Sequence, residues 1–309
     1  MLLSFALAAA LAQQAAASPP APQPPPAADY VPQRVFDTRR GAFIDFESMV
    51  AALTRADVVL VGEQHDDPNT HRLEYALLSG LRRRSIAPTL SLEMFERDVQ
   101  PAIDGYLSGA ITEPQLLKDA RPWPRYATDY RSLIELAKAE GWPVVAANLP
   151  RRFASEIAKA GEGSIGRLSS DDRALVARDL QCPHDAYFDR FTSAMTDHSP
   201  AGSAKPPAPS DEQRATTDRY YWAQCSKDET MAESIARASE ARAGKPGPVV
   251  HITGAFHSDF GAGTAERTRR RLAGKTVMVV SILPVSDLDA LAPAGDDLKR
   301  ADFLVFTVK

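Results

Sequence analysis

The sequence predicts an α/β fold with a mostly parallel central sheet and a helical insertion, on three observations. Short β-branched runs such as Val58-Val59-Leu60-Val61 and Val249-Val250-His251-Ile252-Thr253 read as strands buried on both faces, as a parallel sheet requires. Strands alternate with amphipathic helices, which points to βαβ units. Both runs also end in one pattern, glycine, two variable residues and histidine: Gly62-Glu63-Gln64-His65 and Gly254-Ala255-Phe256-His257. In an open α/β sheet, ligands bind just beyond the carboxyl ends of the strands. Both histidines therefore fall where such a fold places its site.

Along the chain, residues 1–18 read as a signal peptide. Residues 2–12 are Leu/Ala-rich and too short to span a membrane, and Ala10-Leu11-Ala12 offers small residues for cleavage. Residues 19–30 are a proline-rich tether. No cysteine follows the apolar stretch, so a lipid anchor is not expected. The remainder, 31–309, reads as one α/β domain. Val35-Phe36-Asp37 and Ala42-Phe43-Ile44-Asp45-Phe46 flank Arg39-Arg40-Gly41 as an opening hairpin. Phe46, Met49, Val50 and Leu53 mark a short helix, and Asp67-Pro68 starts another that buries Leu73, Leu77 and Leu81. Thr89–Leu92 and Val144–Ala147 are strands, with a helix between them that carries Tyr130, Leu133, Ile134 and Ala137 and stops at Gly141. From about 152 to 245 the strand signal disappears, and a helical insertion that covers the site is expected. Strands resume at Val249, Val277–Ile282 and Phe303–Phe306.

The 309 residues are 44% hydrophobic and 25% charged, with net charge −4, ordinary composition for a globular domain. A mildly acidic balance argues against nucleic acid as a partner, and Arg82-Arg83-Arg84 reads as a solvated helix end. Cys182 and Cys225 suit either a disulfide in an oxidising compartment or two buried thiols. Their spacing excludes a CxxC metal site. No serine nucleophile elbow, HExxH helix or phosphate loop is present.

Four strands end in polar residues: Glu63 with His65, Glu93, Asn148, and His257. Converging at one sheet edge, they put acids and bases within reach of one another. Each has a structural alternative: a helix cap for Glu63, an exposed loop for His65, a salt bridge to arginine for Glu93 and packing for His257. His251 alternates with apolar neighbours and reads as structural. His184 and His198 have no evident partner.

Gly62-Glu63-Gln64-His65-Asp66, with Pro68 and His71, resembles the opening motif of ChaN-like proteins, exported haem-binding proteins linked to iron acquisition. The likeness continues through Leu92-Glu93-Met94-Phe95, Ala147-Asn148, Ala223-Gln224 with Asp228 and Met231-Ala232, and Gly254-Ala255-Phe256-His257. Wider relatives are the Tiki/TraB group and the erythromycin esterases. The resemblance implies a parallel sheet flanked by two groups of helices, and haem held in a pocket, between two copies of the chain in a homodimer. Many ChaN-like proteins are lipoproteins, and the anchoring cysteine is absent here.

Haem needs an axial histidine or tyrosinate, an apolar slot and cations for its propionates. Candidates for this role are His65, His71, Tyr75, Arg125, Tyr126, Tyr130, Arg151, Arg152 and His257. The alternative is a hydrolase in which Glu63, His65, Glu93 and His257 hold a divalent metal or act directly as general bases. A third reading is a non-catalytic exported binding module. The haem-binding reading is adopted, since the sheet-edge residues match motif by motif. No motif names a transporter or receptor that exchanges the ligand.

Overall fold

A computed structural model describes residues 31–196 and 209–309. The expected signal peptide and tether lie outside the described residues, as do His198 and most of the loop from Ser199 to Ser210. The described strands are β1 Gln33–Asp37, β2 Ala42–Ile44, β3 Val58–Glu63, β4 Thr89–Glu96, β5 Val144–Asn148, β6 Val249–Gly254, β7 Val277–Val285 and β8 Phe303–Val308. They form one eight-stranded sheet in the order β2-β1-β8-β7-β3-β6-β4-β5. From β8 to β5 all neighbours are parallel, and the opening hairpin β1–β2 adds antiparallel strands at one edge.

β3 and β6 are fully buried along their length. Their side chains alternate between two cores, as the strand period of two dictates. Val59 and Val61 face a core with Leu73, Leu77, Leu133 and Ile134, while Val58 and Leu60 face Ile235, Ala236 and Ala265. The sheet is thus covered by a group of helices on each side. On the first side, Asp67 caps helix Pro68–Arg83 by accepting from the Asn69 N–H at 2.7 Å. Helix Arg131–Glu140 stops at Gly141, whose φ of 66° suits a residue without Cβ. The arginine run ends on the surface, where Arg83 and Arg84 pair with Glu47.

Between β5 and β6 the described residues form helices, among them Arg151–Ala160, Ala186–Thr196 and the 31-residue Asp211–Ala241. A capping box between Ser210 and Gln213 starts the long helix. It packs on Arg151–Ala160, β5 and helix Gly263–Arg271. The Cys182–Cys225 disulfide ties the preceding segment to it, which resolves the two readings of that pair. No helix among the described residues is long and apolar enough to cross a membrane.

Candidate functional site

The two glycine–histidine motifs meet because β3 and β6 are parallel neighbours, with Glu63 level with Gly254. Each glycine makes room for the other motif. A Cβ on Gly62 would lie 2.6 Å from Ser258 Oγ and 3.1 Å from Ala255 Cα. A Cβ on Gly254 would lie 2.7 Å from His65 Nε2. Such close approach is what glycine at a strand end permits.

His65 sits at the sheet edge with its side chain 45% exposed, and its Nδ1 is hydrogen-bonded to Glu63 Oε1. Tyr130 O–H donates to the same oxygen at 2.7 Å from beneath. Trp123 stands edge-on to the His65 ring, with centroids 5.0 Å apart. Burial pulls the imidazole pKa down, but the Glu63 hydrogen bond and the charges of Glu93 and Glu63 outweigh it, and the pKa is raised.

His257 is buried. Its Nδ1 donates to Asp228 Oδ1 at 2.6 Å, and its Nε2 lies 3.5 Å from Glu93 Oε1. Asp228, from the long helix, also accepts from Tyr187 O–H and Thr264 O–H, both at 2.8 Å. Burial opposes the charged imidazole, yet Glu93 and Asp228 together raise its pKa. Glu93 is also buried. Burial works against its charge, but His257, His65, the Thr253 hydroxyl and the Gly254 N–H bring its pKa to about 2. The salt-bridge partner expected for Glu93 was an arginine; the structure supplies histidine. Asn148 donates to the Glu93 carbonyl at 3.0 Å and so holds the ends of β4 and β5 together.

His65, Glu93, Trp123, Asn148, Arg151 and His257 line a cleft of about 620 Å³. Helices Ala186–Thr196 and Asp211–Ala241 contribute Phe191, Met195, Tyr220, Ala223, Gln224 and Lys227 to its lining. Its size falls within the roughly 300–1,000 Å³ typical of small-molecule sites. Tyr220, Ala223, Gln224 and Lys227 follow the 0, 3, 4, 7 spacing of one helix face. That spacing was the signal by which Tyr220 and Lys227, missed in the sequence, could have been found.

Residues 49–268 match the family model described as haem-binding uptake, Tiki superfamily, ChaN. The chain belongs to the ChaN family. A solved structure, "Cofacial heme binding to ChaN of Campylobacter jejuni", superposes with a TM-score of 0.64 at 18% identity, over 90% of this chain and 97% of that one. A Bacillus cereus protein aligns over 84% of this chain and 90% of its own, at 11% identity and a TM-score of 0.47. An erythromycin esterase aligns over 90% and 83%, at 14% identity and a TM-score of 0.45. No curated protein matches.

On this ChaN fold the other sequence candidates scatter. Arg151 lines the cleft, whereas Arg152 is exposed and pairs with Asp172 at 2.7 Å. Arg125 is exposed and pairs with Asp129 at 2.6 Å. Tyr75 is 41% exposed on helix Pro68–Arg83 and is not part of the cleft lining. Tyr126 and Tyr130 are buried in the core. Burial, followed by nearby carboxylates, raises both phenols above their ordinary pKa, which disfavours the tyrosinate form. His71 is buried behind Tyr130 among Glu63, Glu74 and Asp129. Burial and then the charge of Glu63 push the Glu74 carboxyl well above its usual range.

The expected metal quartet of Glu63, His65, Glu93 and His257 is not gathered around one point. Among the described residues, the three donors that come close enough are Glu63, His71 and Glu74. Within the quartet, Glu63 is hydrogen-bonded to His65 and Glu93 Oε1 lies 3.5 Å from His257 Nε2. His251 is buried, its Nδ1 lies 2.9 Å from Ser91 Oγ, and burial takes its pKa to about 4. His184 stacks on Phe188 with centroids 3.9 Å apart.

Proposed function

We propose that this ChaN-family chain binds haem in the cleft between the sheet edge and the long helix. The observation that carries the reading is the make-up of the cleft. Apolar Phe191, Met195 and Ala223 line it together with the His65 imidazole, the Trp123 ring edge-on to that imidazole, and the exposed Tyr220. Haem supplies an iron that takes imidazole or tyrosinate and a ring that needs an apolar slot. His65 and Tyr220 are exposed donors of those two kinds, and Arg151 and Lys227 are the cations placed for propionates. Tyr126 and Tyr130 are set aside as ligands because their phenols are buried and held protonated.

Titration of the purified chain with ferric haem is expected to give a saturable Soret shift. Tyr220→Phe and His65→Ala each test a ligand, and the loss of a true one weakens binding by more than about 10–100-fold. No Soret shift in the wild-type chain overturns the reading. The cofacial haem binding of the Campylobacter jejuni protein suggests an arrangement with two copies of this chain. Light scattering with and without haem tests it, and a monomer in both states counts against it. Export is part of the same proposal. The Leu/Ala-rich stretch at residues 2–12 supports it, as does the Cys182–Cys225 disulfide, since disulfides persist in oxidising compartments.

A second reading, hydrolysis, is favoured by one observation: two imidazoles, His65 and His257, line one cleft, each backed by a buried carboxylate, Glu63 and Asp228. In such a reaction His65 would take a proton from water at Nε2 while Glu63 holds Nδ1. Ester or amide hydrolysis that disappears in His65→Ala would support it, and the same rate in both proteins would sink it.

A further inference from the structure

We propose that Glu63, His71 and Glu74 form a divalent-cation site of the zinc, manganese or ferrous-iron class, buried behind the cleft. The proposal is independent of the haem reading.

The hydrogen-bond pattern of His71 carries it. Its Nε2 faces two acceptors, the His65 carbonyl oxygen at 3.2 Å and Asp129 Oδ2 at 3.4 Å. In the neutral tautomer with its ring proton on Nε2, that N–H is served by both acceptors. That leaves the Nδ1 lone pair directed at two further acceptors, Glu74 Oε2 at 3.3 Å and Glu63 Oε2 at 3.6 Å. Three ligand-capable atoms thus converge, and the proton held between the two carboxyls is what an ion would displace. Glu63 Oε2 and Glu74 Oε1 are buried and have no hydrogen-bond partner, and the two residues are 1% and 0% exposed. Buried carboxylate oxygens without a partner are costly, and a cation bound by all three side chains lowers that cost.

The spacing fits a small ion. Donors about 2.1 Å from a tetrahedral ion lie about 3.4 Å apart, close to the separations around His71 Nδ1. Two carboxylates and one imidazole are a donor set for zinc, manganese or iron. The outer contacts fit as well. A metal-bound histidine usually donates its other N–H to a carboxylate or backbone carbonyl, and His71 Nε2 has one of each. Arg125 in turn holds Asp129 at 2.6 Å. Glu63 Oε1 is meanwhile occupied by Tyr130 and His65. Glu63 therefore joins the buried site to the cleft, and an ion there would act on His65 through one carboxylate.

The test uses haem-free full-length protein, unfolded and refolded with Zn²⁺, Mn²⁺ or Co²⁺ because the site is buried, then dialysed. The expected result is one equivalent of metal by elemental analysis, a Co²⁺ visible spectrum of low symmetry, and a raised Tm. Glu74→Gln and His71→Ala are expected to weaken retention at least about 100-fold, while Glu93→Gln, in the cleft, retains metal. Should both site variants fail to fold, Glu74→Asp and the wild-type Co²⁺ spectrum still decide. No retained metal in the wild type overturns the proposal, including the case in which a proton held between Glu63 and Glu74 takes the ion's place. Retention lost in Glu93→Gln but not in Glu74→Gln overturns it too. The Soret titration is run on metal-free protein, so either proposal can fail alone.

Discussion

The two glycine–histidine motifs are alike in sequence and differ in environment. His65 is half in solvent and leans on a glutamate two residues earlier in its own chain segment. His257 is buried and is gripped by Glu93 from a neighbouring strand region and by Asp228 from the long helix. A local pattern set where each imidazole stands. Contacts from distant segments set what surrounds it, and thus how much each contributes to folding as opposed to binding.

Breaking the buried side should have the largest effect. Asp228→Ala leaves His257 facing Glu93 alone and removes the acceptor for Tyr187 and Thr264; urea denaturation is expected to show a loss of about 3–5 kcal/mol. A loss below about 1 kcal/mol, the level of an exposed pair, would mean that the two histidines are equivalent after all. The glycines come next. Gly62→Ala is expected to cost about 1–3 kcal/mol, because its Cβ would press on the Ala255 backbone. Gly254→Ala meets only the exposed His65 ring, so it should cost less stability while weakening haem binding.

The pH dependence sharpens the same contrast. The His257 pKa is raised above 6.5. Its contribution is therefore full below that value and is lost as pH rises through the higher folded pKa. Asp228 is lowered from 3.8, burial being outweighed first by the His257 charge, so its contribution is full above 3.8 and is lost as pH falls below it. The stability difference between wild type and Asp228→Ala should therefore peak between these limits and shrink on both sides, as denaturation across a pH series would show. The smallest effect belongs to the exposed partner. His65→Ala is expected to change stability by less than about 1 kcal/mol while impairing whatever the cleft binds.

Much of the fold was legible because its signals are local. The opening hairpin, the Asp67-Pro68 helix start and the Gly141 stop each follow from a few adjacent residues and their backbone preferences. The fully buried runs of β3 and β6 announced a sheet covered on both faces. The candidate site was legible only in part. Glu93, His65 and His257 stand at strand ends and do share one cleft. Tyr75, Tyr126 and Tyr130 could not be sorted and Tyr220 was missed, because burial and position on the cleft are not written in a local pattern. Glu74 and Asp129 around His71 carried no pattern of their own, since each is one acidic residue on a helical segment.

Local periodicity and backbone chemistry, read from the residues alone, established the strands and placed two imidazoles at their carboxyl ends. Tertiary structure decided the pairings: Asp228 with His257, Glu63 with both His65 and His71, and Tyr220 in the same cleft as the strand-end residues. Those depend on strand order and on where a 31-residue helix crosses the edge. Contact between segments far apart in the chain is set by how whole faces pack, and no short stretch of sequence encodes that.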